Sequence, residues 1–170
     1  MSKSLGFTIS ELATVITICS IIACLALPYL NDLMISNEVN QLKRTLTIHI
    51  QKAKSDAQIH HKNVTLCASQ DLLNCHTDWN KGLIGFLDLN ANRQRDTSDT
   101  LLYATAFNYR YGSLDWRGTL NINSITFQGD TGLPRGSNGS FFYCNHNSNQ
   151  HTQLMLSNMG HIRTKNILTC

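Results

Sequence analysis

Glu11 stands at the head of a stretch, Leu12 to Leu30, that contains no charged residue. An acidic side chain at the centre of a bilayer costs roughly 2.5–3.5 kcal/mol on insertion scales, and less near an interface. Buried among packed helices it needs an opposite charge; at an interface it needs no role at all. Asp88, Asn90 and Asn92 place oxygen atoms at alternate positions, and Asp99 follows, an imitation of a calcium loop. Arg93 occupies the position where that loop needs glycine, and Arg95 adds a second positive charge. A hairpin turn built from Asn and Asp is the plainer explanation.

Cys75-His76 and Cys144-Asn145-His146, with His151 and His161 nearby in sequence, invite comparison with a zinc site. They lack the C-x-x-C or H-x-x-x-H pairs that structural sites show. No Ser/His/Asp arrangement carries a nucleophile turn either. The expectation is a chain that is not an enzyme, with no catalytic residue, no metal and no other cofactor. From Thr131 to Cys170 there is no Asp or Glu, whereas Arg135, Arg163 and Lys165 are present beside His146, His151 and His161. A locally basic face is what a phosphate backbone requires. The Asn, Ser and Gln side chains of 145–153 add neutral donors for phosphate oxygens. The alternative is a C-terminal strand whose Arg and Lys are merely solvated.

The composition fits one domain with an appended segment. Of 170 residues, 42% are hydrophobic and 15% charged, so a core can be buried and wholesale disorder is excluded. A net charge of +3 is too small to identify a nucleic-acid binder by itself. Two prolines and ten glycines, with no repeat, exclude collagen-like, proline-rich and solenoid architectures.

The uncharged stretch has the length of a membrane-spanning helix. Beyond it Leu42, Leu46, Ile50, Ala53 and Ala57 recur at helical spacing, one apolar stripe. Lys43, Arg44, Lys52 and Lys54 fall between them and are expected to face water. At His60-His61-Lys62-Asn63 the period changes to two. Residues 64–66, 83–89, 101–106, 122–127, 141–143 and 153–156 then read as strands. The predicted architecture is α+β, a long N-terminal helix laid on an antiparallel sheet.

A secretory signal would need a cleavage site, for which Ala23 could serve, but the apolar run continues past it. Ile21-Ile22-Ala23-Cys24 approximates a lipid-attachment box, which would tether a periplasmic binding module; Glu11 has no explanation there. Gly6-Phe7-Thr8-Ile9-Ser10-Glu11 followed by the apolar run resembles instead the class III signal of type IV pilins and type II secretion pseudopilins. The resemblance implies a prepilin peptidase cut between Gly6 and Phe7, with residues 1–6 as leader, and N-methylation of Phe7. It implies an inner-membrane and filament-core helix over 7–30, kinked at Pro28. Residues 31–170 would then form a periplasmic or extracellular domain. It makes Glu11 the assembly residue, paired with the freed amine of a neighbouring subunit. Ser10 and Ser20 could let helices approach closely, or be bystanders.

The soluble part is similar to the FimT/FimU/GspH-type minor pilins. The matching stretches are Thr65-Leu66-Cys67 with Cys75 and Trp79, and Gly82–Asp88 with Asn90, Asn92, Arg95 and Asp96. Ile125-Thr126-Phe127, Phe141–Cys144 and Ser157–Arg163 complete the set. A domain exported by such a signal and holding four cysteines implies disulfides. Of three possible pairings, Cys67–Cys75 and Cys144–Cys170 are expected, because each joins segments near one another in sequence. Cys19 and Cys24 read as small hydrophobes in the apolar helix. Two bridges suggest a minor subunit that primes or caps a filament with other major and minor pilins or pseudopilins.

Gly160-His161-Ile162-Arg163 resembles the G-R-x-R motif with which FimT-type pilins bind DNA. Gly160 and Arg163 match, while His161 replaces the first arginine, so one fixed charge is exchanged for a pH-dependent one. The resemblance thus implies a pilus subunit that binds DNA through phosphates during natural transformation, with Gly160, His161 and Arg163 as contacts, and the basic C-terminal part adds Lys165 and Arg135. A type II secretion minor pseudopilin acting in protein export is the alternative.

Overall fold

A computed structural model describes residues 8–146 and 151–170, with position 28 described by its backbone alone. Gly6 and Phe7, and with them the expected cleavage and methylation sites, lie outside the described residues. Helix α1 runs Ile9–His60. Thr8 and Glu11 open it as a capping box: the Glu11 N–H donates to Thr8 Oγ1 (3.3 Å), and the Thr8 N–H donates to Glu11 Oε2 (2.9 Å). Two otherwise orphaned helix-end donors are thereby satisfied. At the other end His61 takes a left-handed conformation (φ 50°), the stop that glycine more often supplies.

By its contacts the chain divides into two units, Met1–Glu38 and Val39–Cys170. In the first, the large apolar side chains are exposed, among them Leu12, Ile18, Ile22 and Leu25. Three of its hydroxyls bond back to their own helix. Thr14 and Thr17 donate to the carbonyls of Glu11 and Ala13 (2.9 and 2.5 Å), and Ser20 donates to that of Ile16. Pro28 falls inside the helix span. The helix is long and apolar enough to cross a membrane.

In the second unit α1 contributes the predicted stripe, since Leu42, Leu46, Ile50, Ala53 and Ala57 are all buried. Eight strands follow: β1 Asn63–Ala68, β2 Gly82–Asp88, β3 Thr100–Ala106, β4 Gly112–Gly118, β5 Ser124–Phe127, β6 Gly139–Asn145, β7 His151–Leu156 and β8 Ile162–Ile167. They form two antiparallel four-stranded sheets, ordered β3-β2-β1-β5 and β4-β6-β7-β8. The helix-on-antiparallel-sheet architecture is therefore as the sequence implied, with the sheet in two parts. β4 and β8 are additions to the six strands expected.

The two sheets are solvated differently, and their sequences say so. β7 alternates buried and half-buried residues, and in β4 Leu114 and Trp116 point inward between Ser113, Asp115 and Arg117. β1 and β2 are buried almost throughout. Val64, Leu66 and Leu83 join the stripe of α1, while Cys67, Ile84 and Phe86 form a second cluster closed by Cys75 and Leu101. Trp79 stands edge-on to Phe141 (centroids 5.0 Å, 80°), and Trp116 lies 4.5 Å from the same ring. Among the described residues every fully buried apolar side chain lies between Leu42 and Leu156, within the Val39–Cys170 unit.

Candidate assembly and nucleic-acid surfaces

Glu11 heads a helix half whose neighbours are apolar and exposed, and its carboxylate is hydrogen-bonded to Thr8 alone among the described residues. Among the described residues its second oxygen, Oε1, accepts no hydrogen bond. That geometry suits a carboxylate awaiting a cation in a low-dielectric surrounding.

The cysteines of the second unit are joined Cys67–Cys75 and Cys144–Cys170, with Cα–Cα distances of 5.5 and 5.9 Å. The first bridge folds the Ser69–Asn74 loop back on β1. Asp71 organises that loop by accepting the N–H groups of Asn74 (2.8 Å) and Leu73 (2.9 Å). Those amides hold its carboxyl well below the usual range. The second bridge returns the last residue to β6. Cys19 and Cys24 remain free thiols.

The Asp88–Asp99 loop is organised by its own amides. Asp88 accepts the N–H groups of Asn92 (3.1 Å) and Arg93 (3.0 Å) and the hydroxyl of Thr65 (2.9 Å). Asp99 accepts those of Leu89 (3.0 Å) and Asp96 (3.1 Å). Asp96 bonds the Ser98 hydroxyl and amide and the Asn90 side chain, and these lower its pKa to about 2. The carboxylates are turned to N–H donors along the turn, the arrangement of an Asx-built hairpin. Among the described residues no cluster of three or more His, Cys, Asp or Glu could hold a metal.

Arg163 and Lys165 lie on β8, an edge strand, two residues apart and hence on one face. Their register partners are Met155 and Gln153, whose own partners on β6 are Ser140 and Phe142. Arg117 and Asp115 of β4 continue the same two rows. All of these project from the side opposite the buried Leu154, Leu156, Phe141 and Trp116, so one solvated face carries the cations. Arg117 pairs with Asp115 (3.0 Å), lies 4.3 Å over the Phe142 ring and donates to the carbonyl of Cys170 (3.3 Å). Being exposed, that ion pair contributes at most about 1 kcal/mol.

Gly160 and His161 form the turn between β7 and β8. Gly160 adopts φ +75°, which only glycine takes without strain, and its N–H bonds the Ser157 carbonyl (2.9 Å). The space a side chain there would enter is bounded by Pro134 Cδ at 3.6 Å and Lys54 Nζ at 3.8 Å. The residue beside Pro134 is Arg135, which lines a polar cleft with His61, Lys62 and Asp130. Lys54 is thus a cation of this site that sequence reasoning assigned to a water-facing helix side. It is half-buried, and Lys54, Arg163 and Lys165 form no ion pair among the described residues. Its helical spacing, three residues before Ala57 and four after Ile50, places it beside the apolar stripe. The neutral donors expected at 147–150 lie outside the described residues.

Residues 44–160 match the sequence profile of the family described as Type II transport protein GspH. Two crystal structures of the Pseudomonas aeruginosa (strain PAO1) type IV minor pilin FimU are similar in fold. One, in space group P21, has a TM-score of 0.58 at 19% identity and covers 79% of this chain and 96% of that one. The other, in P65, has a TM-score of 0.52 at 19% identity, covering 75% and 95%. No curated protein matches by sequence.

Proposed function

The chain belongs to the GspH family of type II transport proteins, and from that premise we propose that it is a minor pilin that primes or caps a type IV pilus and binds DNA during uptake. Its minor pilin or pseudopilin type and its assembly with other pilins come with the family, whose members are generally structural. The pilus, the priming position and the DNA are the proposal. In it, prepilin peptidase cuts between Gly6 and Phe7, Phe7 is N-methylated, and Glu11 accepts the amine of a neighbouring subunit. The segment 7–30 rests in the inner membrane, with the domain in the periplasm, before it enters a filament core.

The observation that carries the DNA role is the solvated face with Arg163 and Lys165 at its edge and Lys54 beside the Gly160–His161 turn. Phosphates are the only groups such a face addresses, so binding is independent of base sequence. Lys54 supplies a permanent charge near the position where His161 stands in place of an arginine. Affinity should be weak, fall as salt rises, and strengthen on mild acidification as histidines charge. Gel shifts with the Val39–Cys170 unit test this: Arg163→Gln, Lys165→Gln and Lys54→Gln should each weaken binding and flatten its salt dependence. No shift at low salt and pH 6, or no change in the variants, would remove the DNA role.

The description of the matched family favours a second reading, a pseudopilin of a type II secretion system acting in protein export. Deletion scored for both transformation and protein secretion separates the two.

A further inference from the structure

A cleft of about 440 Å³ opens on the far side of the first sheet, between the Cys67–Cys75 bridge, the start of β5 and the β2–β3 loop. No Asp or Glu lines it. Its polar lining consists of Arg93, His76, Thr77, Gln94, Asn92, Asn123 and Ser124. Arg93 Nη1 is shut off from solvent and has no hydrogen-bond partner. A guanidinium N–H closed off from water with no acceptor is left unsatisfied, and a small movement of the Arg93 side chain into the cleft it lines lets it meet an anion.

The backbone is built to aim this residue. Arg93 sits at φ 63°, and Ala91 at φ 57°, both in the left-handed region. Asp88 holds the turn by accepting the N–H groups of Asn92 and Arg93. The charge of Asp88 is engaged by those amides and by Thr65, and that of Asp96 by Ser98, Asn90 and Asn92. His76 is fixed by its N–H on the Ala68 carbonyl (2.7 Å). Its Nδ1 accepts the Asp78 N–H (3.2 Å), so its proton resides on Nε2, as a second donor.

We propose that this cleft binds a carboxylate-bearing sugar of hexuronic-acid type, its carboxylate on Arg93 and His76 and its ring hydroxyls on Asn92, Gln94, Asn123 and Thr77. One cation among neutral amides and hydroxyls matches a single negative charge on a hydroxyl-rich body, and the volume is that of a small-ligand site. The disulfide and Ile122 give the apolar wall against which a sugar ring packs. Either a free sugar acid or a unit of an acidic polysaccharide presents this chemistry. The site is separate from the Arg163–Lys165 face and from Lys54, and independent of the DNA proposal.

Amide NMR titrations of the Val39–Cys170 unit at constant ionic strength provide the test, with glucuronate, glucose and a galacturonate oligomer as probes. Glucuronate should produce saturable shifts at Cys75–Thr77, Arg93–Gln94 and Asn123, and glucose should bind at least about tenfold more weakly, the worth of one charge-assisted hydrogen bond. Arg93→Gln should lose about the same factor. Asn123→Asp, which leaves the Arg93 turn untouched and adds a repelling charge, should do likewise. Oligomer binding at the same amides would identify the polysaccharide as source, and binding of the monomer alone the free acid. Absence of saturable shifts, equal binding of glucose, or undiminished binding in both variants would overturn the proposal.

Discussion

The two halves of α1 share a backbone conformation and little else. Between Leu12 and Met34 large apolar side chains are exposed around the helix, Leu25 at 73% and Ile22 at 60%. From Leu42 to Ala57 the apolar residues Leu42, Leu46, Ile50, Ala53 and Ala57 form one stripe, none more than 3% exposed, and Ile48, at 59%, lies off it. A helix apolar on all sides has no single face to give a domain core, so it must be solvated by lipid or by other helices. A striped helix belongs to its own domain. On the proposed reading the first half serves assembly, and the second serves the folding of its own domain.

Truncating the stripe should have the largest effect. Leu46→Ala leaves a cavity in the core and should lower stability by about 2–5 kcal/mol, read by urea or thermal unfolding in detergent. Ile22→Ala should change it by less than about 0.5 kcal/mol. Equal losses at both positions would erase the contrast. Next come the bridges. Cys144→Ser with Cys170→Ser opens a loop of sequence separation 26, and Cys67→Ser with Cys75→Ser one of 8. Chain-entropy estimates put these losses at up to about 3.5 and 2.5 kcal/mol respectively, measurable as Tm shifts on the Val39–Cys170 unit. The smallest effect is acid sensitivity. Asp71 and Asp96 have folded pKa values below the ordinary 3.8, held down by loop amides and hydroxyls, with Asp96 at about 2. The stability they add is complete above 3.8 and is lost as pH falls below it, for Asp96 through about 2 and for Asp71 lower still. A shallow slope confined to that window should appear in tryptophan fluorescence, persist after removal of residues before Val39, and diminish in Asp96→Asn.

The helix and most strands were legible because their apolar residues repeat at 3.6 or 2. β4 was missed because only Leu114 and Trp116 mark its alternation. β8 was missed because an edge strand with four exposed central residues, Arg163 to Asn166, has no apolar face to display. The division into two sheets was also invisible, since pairing depends on contacts distant in sequence. At the candidate sites, Arg163 and Lys165 could be read from charge alone. Lys54 could not, because its relation to Gly160 exists only after the β7–β8 turn meets the helix. Arg93 was legible only as an obstacle to calcium; its enclosed, unpartnered nitrogen is a property of the folded loop.

The most direct test of the assignment of the first half to assembly is co-purification of partner subunits with the tagged full-length chain from detergent-solubilised membranes, wild type against Glu11→Ala. The account predicts that the variant is processed and folded to wild-type level, with its domain equally stable, yet recovers few or no partner subunits. Equal recovery of partners by Glu11→Ala would contradict it.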